Sequence, residues 1–306
     1  MSTVIPDSLN MAAVNSPKPL TRYLIISPVR DEEKYLQFTF ESVSAQTVRP
    51  LAWVIVDDGS SDNTGQIADG FAAQHPWIQV VHRGNRGFRK AGGGVIEAFY
   101  DGFNAAREKD WDFVVKLDGD LTLPNDYFEK CFAYFERDPQ LGIAGGALYH
   151  NFDGRMELEV VPKFHVRGAT KIYRRACWEA IGGLHKVTGW DTIDETKANM
   201  LGWRTQTLKD VHLLHHRFTG TAESTWKGMV KNGVSDYIAG YHPLFMLVKC
   251  LSRVRRRPHV MGPLGLFWGY WKGHLTRAPR VDDAELIRYL RQQQMRRLMG
   301  METIWK

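Results

Sequence analysis

Short apolar runs, each closed by turn residues and followed by a stretch with helical spacing, recur through the first part of the chain. YLIISPV (23–29), LAWVIVDD (51–58), WIQVVH (77–82) and FVVKLDGD (113–120) read as strands. The segments between them, to about Ala45, over 64–74 and across Val95–Arg107, read as helices. Apolar runs without polar alternation suit strands buried on both faces, as in a parallel sheet. Strand-helix alternation implies right-handed βαβ units with ligands at the carboxyl ends of the strands. The acidic pairs of the second and fourth strands fall at those ends. Beyond Pro124 the pattern is mixed. A helix near 125–137, strands near 141–150 and 157–161, and a helix near 174–181 precede GWRTQTLKDVHLLHHR (202–217), which reads as turn, strand, turn, strand. The chain has no internal repeat.

Composition changes this picture mainly at the two ends. With 43% apolar and 24% charged residues among 306, the chain suits one large α/β domain and is not of a disordered class. Cys131, Cys177 and Cys250 lie far apart, without metal-ligand or disulfide spacing, which points to a reducing compartment. Residues 1–20 are polar and carry two prolines, so a loose arm is expected there, and no signal peptide. Residues 217–306 hold 16 of the 40 Lys+Arg but 6 of the 34 Asp+Glu, a net of +10 against −4 for the rest. This basic stretch, rich in aromatic residues, reads as helices, with RVRRRPH (253–259) and AELIRYLRQQQMRRL (284–298) within it. Its longest uncharged run, between Arg257 and Lys272, is shorter than the ~20 residues of a membrane span.

Four segments can carry chemistry. In VIVDDGSSDNT (54–64) Asp57 or Asp58 can accept hydrogen bonds from a base or ribose, although a helix-capping turn has the same composition. In KLDGDLTLP (116–124) two carboxylates flanking a glycine can approach one hard divalent cation. At the end of an apolar strand such a pair repels unless a cation or proton separates it. In GNRGFRKAGGGVIEAF (84–99) glycines allow close backbone approach and Arg86, Arg89 and Lys90 can meet phosphate, but the dinucleotide fingerprint is not matched. In GWDTIDE (189–195) Asp191, Asp194 or Glu195 can supply a general base, or simply favour a helix N-terminus. His215 or His216, at the end of LLHHR, can complete a metal shell.

In this order the segments resemble the family 2 glycosyltransferases, inverting enzymes with a GT-A fold, over roughly residues 22–217. The shared parts are SPVRDEE, VDDGSSDNT, the Asn85–Val95 glycine pattern, LDGD, RRACWEAIGG (174–183), the acidic segment and the closing histidine. The resemblance implies a GT-A nucleotide-diphospho-sugar transferase domain over 21–217. Its sheet would be mainly parallel and flanked by helices, with a helical extension over 218–306. Pro28, Arg30 and Asp58 would border the base, with Asp57 beside them, and Lys90 would face the diphosphate or ribose. Asp118 would contact ribose or metal, Asp120 would be the principal ligand of Mg²⁺ or Mn²⁺, and His215, with His216 as its rival, would join them. Asp191 would be the catalytic base, with Asp194 and Glu195 as alternatives, since Trp190 stands where the family has a Glu.

The implied reaction moves a sugar from a nucleotide-sugar donor, UDP- or GDP-linked, to a hydroxyl of a glycan or lipid-linked acceptor. Such chemistry serves polysaccharide or glycolipid synthesis. Two other readings share the fold: a sugar-phosphate nucleotidyltransferase and an inactive adaptor. The first lacks its Gly-rich loop after the opening strand, and the second would not need the retained acids. For the extension, the expectation is either packing on the catalytic domain or peripheral attachment to the cytoplasmic membrane face. In the second case Trp226, Trp268, Tyr270 and Trp271 would lie at headgroup level and Arg253, Arg255, Arg256 and Arg257 would meet anionic lipid. No nucleic-acid motif is present, and no nucleic-acid partner is expected.

Overall fold

The opening strand, β1 (Tyr23–Val29), is buried along its whole length, as its unbroken apolar run requires. It lies between β2 (Ala52–Asp57) and β4 (Phe113–Leu117), both parallel to it, and β3 (Ile78–His82) extends the parallel set beyond β2. This computed structural model describes residues 21–88, 92–152, 155–217, 225–254 and 260–305. The expected arm 1–20, Arg89, Lys90 and Arg255–Arg257 lie outside the described residues. The helices α1 (Leu36–Ser44), α2 (Thr64–Gln74) and α3 (Gly93–Ala105) connect these strands.

After β4 come β5 (Leu121–Thr122), α4 (Tyr127–Arg137), β6 (Leu141–Phe152) and β7 (Arg155–Leu158). Then follow β8 (Thr170–Arg174), α5 (Arg175–Ile181), α6 (Trp190–Met200) and β9 (Arg204–His215). The strand order is β3-β2-β1-β4-β8-β6-β9-β5, with β7 against β6. Six strands run one way, while β8, β5 and β7 oppose their neighbours. The sheet is therefore mainly parallel, with helices on both faces. Alternate residues of β1 divide between two cores: Tyr23, Ile25 and Val29 meet α1, α2 and α4, while Leu24 and Ile26 meet α3 and the α5–α6 side.

Three expectations are revised. The fourth strand ends at Leu117, so Asp118-Gly119-Asp120 forms the turn into β5 rather than the strand's end. Residues 204–215 are one strand, and the expected turn is a shift of register between Gly146↔Leu208 and Ala147↔His212. The strand β8 has no counterpart in the apolar pattern because the charged Lys171 is buried within it.

The extension forms α7 (Thr225–Ile238), α8 (Pro243–Arg253), α9 (Met261–Leu275) and α10 (Ala284–Leu298) around a third core that includes Ile193 of α6. Helices α7 and α9 touch backbone to backbone. A Cβ on Gly269 would stand 2.0 Å from the Val230 carbonyl oxygen, and one on Gly233 2.1 Å from that of Leu266. Tyr270, expected at a lipid surface, is instead buried in this core and donates to the Tyr241 carbonyl at 2.8 Å.

Candidate active site

A cleft of about 930 Å³ opens at the carboxyl ends of β1 and β4. Its walls include Pro28, Arg30, Asp58, Asp118, Asp120 and His215 from the sheet side, Asp191 from α6, and Lys231, Asp236, Lys249 and Arg253 from the extension. The turn after β2 is held from within. Asp57 accepts from the Ser60 amide at 2.9 Å and faces His82 Nδ1 at 3.3 Å, so it supports the turn and is not part of the cleft wall. Asp58 is paired with Arg83 and, at 2.5 Å, with Arg86. Arg30 reaches Asn85 Oδ1 at 3.0 Å and the Phe88 carbonyl at 3.3 Å, tying the first strand's loop to the glycine-rich segment. Within that segment, Gly92 and Gly93 make room for the chain itself: a Cβ on either would stand within 2.6 Å of Thr188 or Lys186.

At the turn between β4 and β5, Asp118, Asp120 and His215 each place one ligand atom within 4.8 Å of the others. Gly119 allows this turn, since a Cβ there would come 2.6 Å from Val29 Cγ1. His215 lies on the last residue of β9, which pairs directly with Leu121 of β5, so the sheet register itself sets histidine beside carboxylate. His215 Nε2 stands 3.2 Å from Asp120 Oδ2, and its Nδ1 is buried with no hydrogen-bond partner among the described residues. Lys116 pairs with Asp118 and donates to the Gly168 carbonyl at 2.7 Å.

Burial pushes the Asp118 carboxyl up, and the charge of Asp120 outweighs part of the help from Lys116. Burial also opposes ionisation of Asp120, but His215 and Arg217 hold it below the usual carboxylate range. His215 in turn is raised: burial lowers it, and the bond to Asp120 more than offsets that. Two close carboxylates and an imidazole are an oxygen-rich donor set that fits Mg²⁺ or Mn²⁺, with positions left for water or phosphate. His216 does not join the group. Its ring lies 5.6 Å from Tyr35 and 4.8 Å from Phe38, both stacked, and its Nε2 meets Thr122 Oγ1 at 2.8 Å.

The acidic segment divides in two. Asp194 and Glu195 are fully enclosed. Lys171 bridges them at 2.9 and 2.8 Å, Tyr173 donates to Asp194 at 2.5 Å, and Glu195 accepts from the Val166 amide at 2.6 Å and faces His165 at 2.8 Å. Asp191, one turn earlier on α6, lines the cleft and forms no ion pair among the described residues. Gly168 is required beside it, because a Cβ there would meet the Trp190 ring at 2.9 Å and Asp191 Cβ at 3.6 Å. The backbone that accepts from Lys116 therefore also packs against Asp191, linking the two sides of the cleft.

The sequence profile of Glycosyl transferase family 2 matches residues 24–181. The chain belongs to this family. Among curated relatives of this family 2 chain, the glycosyltransferase GlyG of Streptococcus pneumoniae is 28% identical over 130 residues, covering 42% of this chain and 39% of the relative. The uncharacterised glycosyltransferase EpsJ of Bacillus subtilis is 30% identical over 131 residues, 43% of this chain and 35% of the relative. The matches thus span less than half of either relative's length. Among solved structures, Staphylococcus aureus TarS 1–349 superposes with a TM-score of 0.52 at 16% identity, covering 92% of this chain and 79% of that one. The mannosyltransferase PcManGT of Pyrobaculum calidifontis, in complex with GDP-Man and Mn²⁺, gives 0.53 at 16% identity, over 94% and 78%. The family 2 chain therefore has the GT-A fold.

Several groups around the cleft of this family 2 member were not singled out in the sequence. Lys116, His165 and Arg217 carry charges toward the acids, and Arg217 also pairs with Glu32 at 2.6 Å and approaches Asp120 at 4.0 Å. Arg217 directly follows the two histidines, which was the available signal. Lys116 stands two residues before its partner Asp118 in KLDGD, which was its signal, whereas His165 had none, since its partner Glu195 is distant in sequence.

Proposed function

We propose that the protein is an inverting glycosyltransferase that moves a sugar from a UDP- or GDP-linked donor to a hydroxyl of a glycan or lipid-linked acceptor, in polysaccharide or glycolipid synthesis. One observation carries this reading: Asp118, Asp120 and His215 stand in one wall of a cleft and Asp191, ionised and unpaired, in the other. The family supports it, as do fold neighbours solved with UDP-GlcNAc (TarS) and with GDP-Man and Mn²⁺ (PcManGT). Pro28, Arg30, Asp58 and Asp118 border the donor in this proposal, with Asp57 holding their turn and Lys90 outside the described residues.

A Mg²⁺ or Mn²⁺ held by Asp120, Asp118 and His215 would offset the charge that grows on the departing nucleoside diphosphate. Asp191 takes the proton of the acceptor hydroxyl as that oxygen bonds to the sugar C1. The bond from C1 to the diphosphate oxygen breaks on the opposite side, and the single displacement inverts C1. The enclosed pair Asp194 and Glu195 holds α6 against β8, and so holds Asp191 in place. Titration calorimetry with UDP and GDP, with and without Mn²⁺, tests the reading. Metal-dependent binding of one nucleotide is expected, followed by metal-dependent hydrolysis within a panel of nucleotide sugars. Absence of metal-dependent nucleotide binding overturns it.

The same proposal places the protein at the cytoplasmic face of a membrane through residues 218–306. Apolar side chains exposed along α8 and α9 support this, together with the net charge of that stretch. No helix among the described residues is long and apolar enough to cross a membrane.

A further inference from the structure

Two lysines stand side by side inside the sheet. Lys116 of β4 and Lys171 of β8 are direct antiparallel partners, and both are buried. Like charges directly opposite on neighbouring strands repel, and more so away from water. Each ammonium has its own acids: Lys116 pairs with Asp118, and Lys171 with Asp194 and Glu195. They also share one neighbour. Both lie over the ring of Trp190, at 5.7 and 5.4 Å from its centroid. The face of an indole attracts a cation without adding a charge, and most strongly where water is excluded. A carboxylate at this position, which the family resemblance leads one to expect, would add a further acid to a region that already holds Asp118, Asp191, Asp194 and Glu195. Trp190 is itself fixed. It opens α6, is buried in the second core, and packs on Gly168, whose carbonyl accepts from Lys116 at 2.7 Å.

The two lysines lead to opposite walls of the cleft. Lys116 ends on Asp118, in the turn between β4 and β5, and Lys171 donates to the Asp191 carbonyl at 2.6 Å, at the start of α6. We propose that Trp190 is a positioning residue of the reaction: its ring holds the two ammonium groups in one arrangement and so sets the distance from the metal-binding turn to the base. The proposal rests on the glycosyltransferase reading above and adds to it the residue that spaces its two walls. In that reading the donor hangs by its diphosphate from the turn, while Asp191 holds the attacking hydroxyl. The spacing therefore decides whether that oxygen meets the sugar C1 in line, and a misplacement of about 1 Å costs about 10²-fold in rate.

The test compares Trp190→Leu, which removes the ring, with Trp190→Phe, which keeps one, in the full chain. Calorimetry with UDP or GDP and Mn²⁺ reads the turn, and the turnover of nucleotide-sugar hydrolysis reads both walls together. Trp190→Leu should weaken Mn²⁺-dependent nucleotide binding on the order of tenfold, the factor that a desolvated cation–π contact carries. It should lower turnover further, by about 10²-fold. Trp190→Phe should fall between Trp190→Leu and the unmodified chain in both measurements. A role in packing alone would lower the unfolding midpoints of the two variants without separating turnover from affinity. Equal affinities for Trp190→Phe and Trp190→Leu overturn the assignment. Should Trp190→Leu fail to fold, the unmodified chain and Trp190→Phe, both grown with fluorinated tryptophan, give the same comparison, because fluorine withdraws charge from the ring face and nearly keeps its shape. Weaker nucleotide binding in the unmodified chain alone is then expected, and an equal change in both overturns the assignment. The two claims separate on the unmodified chain. Absence of Mn²⁺-dependent nucleotide binding there removes the functional reading, whereas binding that is indifferent to the ring removes only the role of Trp190.

Discussion

Asp191 sits where a base must be both reachable and charged. Burial pushes its carboxyl up, but His165, Lys171 and Arg167 more than compensate and hold it below the ordinary carboxylate range. Burial lowers the His165 ring, but Glu195 outweighs it and raises the ring above the ordinary imidazole range. Asp191 is therefore deprotonated throughout the neutral range. Removing its charge with Asp191→Asn is expected to lower transfer by about 10²–10⁴-fold, the usual contribution of a positioned base, with nucleotide affinity unchanged. Initial rates and calorimetry on one preparation check both halves. The pH profile discriminates further. A base with a lowered pKa stays competent as pH falls, so the acidic limb of the rate should lie below about pH 4, the ordinary value for Asp. Asp194 is pushed up to about 6 by burial and by Glu195, so a limb near pH 6 would move the role to it. Saturating Mn²⁺ is needed in this measurement, because Asp118 is also raised and its proton competes with a cation.

Between β8 and α6 the fold relies on one buried lysine. The Lys171 ammonium donates to both oxygens of Asp194, to Glu195 and to the Asp191 carbonyl at 2.6 Å, all without access to water. Replacing it by methionine keeps the shape and leaves two enclosed carboxylates without their cation. Breaking such a group from one side costs about 3–5 kcal/mol. Lys171→Met should therefore lower the free energy of unfolding by that amount, read from the denaturant midpoint and slope, and Lys171→Arg should not recover it in so tight a space. A midpoint unchanged by Lys171→Met would mean that the network contributes little to the joint.

The same lysine shows why part of the fold was hidden from the sequence. Strands β1, β2 and β4 are legible because burial on both faces writes them as largely apolar runs, β3 is a shorter, partly buried run at the sheet edge, and α2 follows from its spacing between two of them. In β8 the second, fully buried position is a charge, Lys171, whose partners arrive from α6 about 20 residues later, so TKIYR does not read as a strand. In β9 the polar pair Lys209-Asp210 resembles a turn, yet it is where the strand bulges and Tyr134 donates to Asp210 at 2.6 Å. The site divides in the same way. Asp58, Asp118 and Asp120 could be assigned to the cleft end of the sheet because the turns that follow β2 and β4 are local features, while the choice of His215 over His216 came from the family resemblance. Which of three neighbouring acids faces the cleft depends on Lys171 and His165, and no local pattern encodes that choice.

On the scale of the whole molecule, the chain is polarised. Its amino-terminal part lines the cleft with acids and carries a net −4 over 1–216, and its last 90 residues, 217–306, carry a net +10. Helix α9 in that part is inverted relative to an ordinary surface helix. Gly262, Gly265, Gly269 and Gly273 face the protein, while Leu264, Phe267, Trp268, Trp271 and Leu275 face outward. The glycines let α7 approach, and the large residues are left uncovered. Helix α8 adds Leu244, Leu247, Val248 and Leu251, the last 63% exposed, at helical spacing on one face. An exposed apolar face of this extent marks an interaction surface rather than ordinary scatter.

Arg253 ends α8, and the sequence between the two helices contains Arg255, Arg256 and Arg257. Apolar side chains beside arginines suit a bilayer with anionic headgroups, each basic residue near the surface contributing about 1 kcal/mol. The full chain should therefore float with vesicles containing anionic lipid and remain below vesicles of neutral lipid. Raising the salt should weaken the association, because the arginine part is screened while the apolar part is not. Leu247→Glu, Leu251→Glu and Leu264→Glu together should release the protein, since each Leu forfeits about 1.5–3 kcal/mol of burial. These three positions are exposed, so the substitutions leave the third core intact. Failure of the unmodified chain to float at low salt with anionic vesicles would remove the membrane from the proposal and leave the uncovered face to a protein partner.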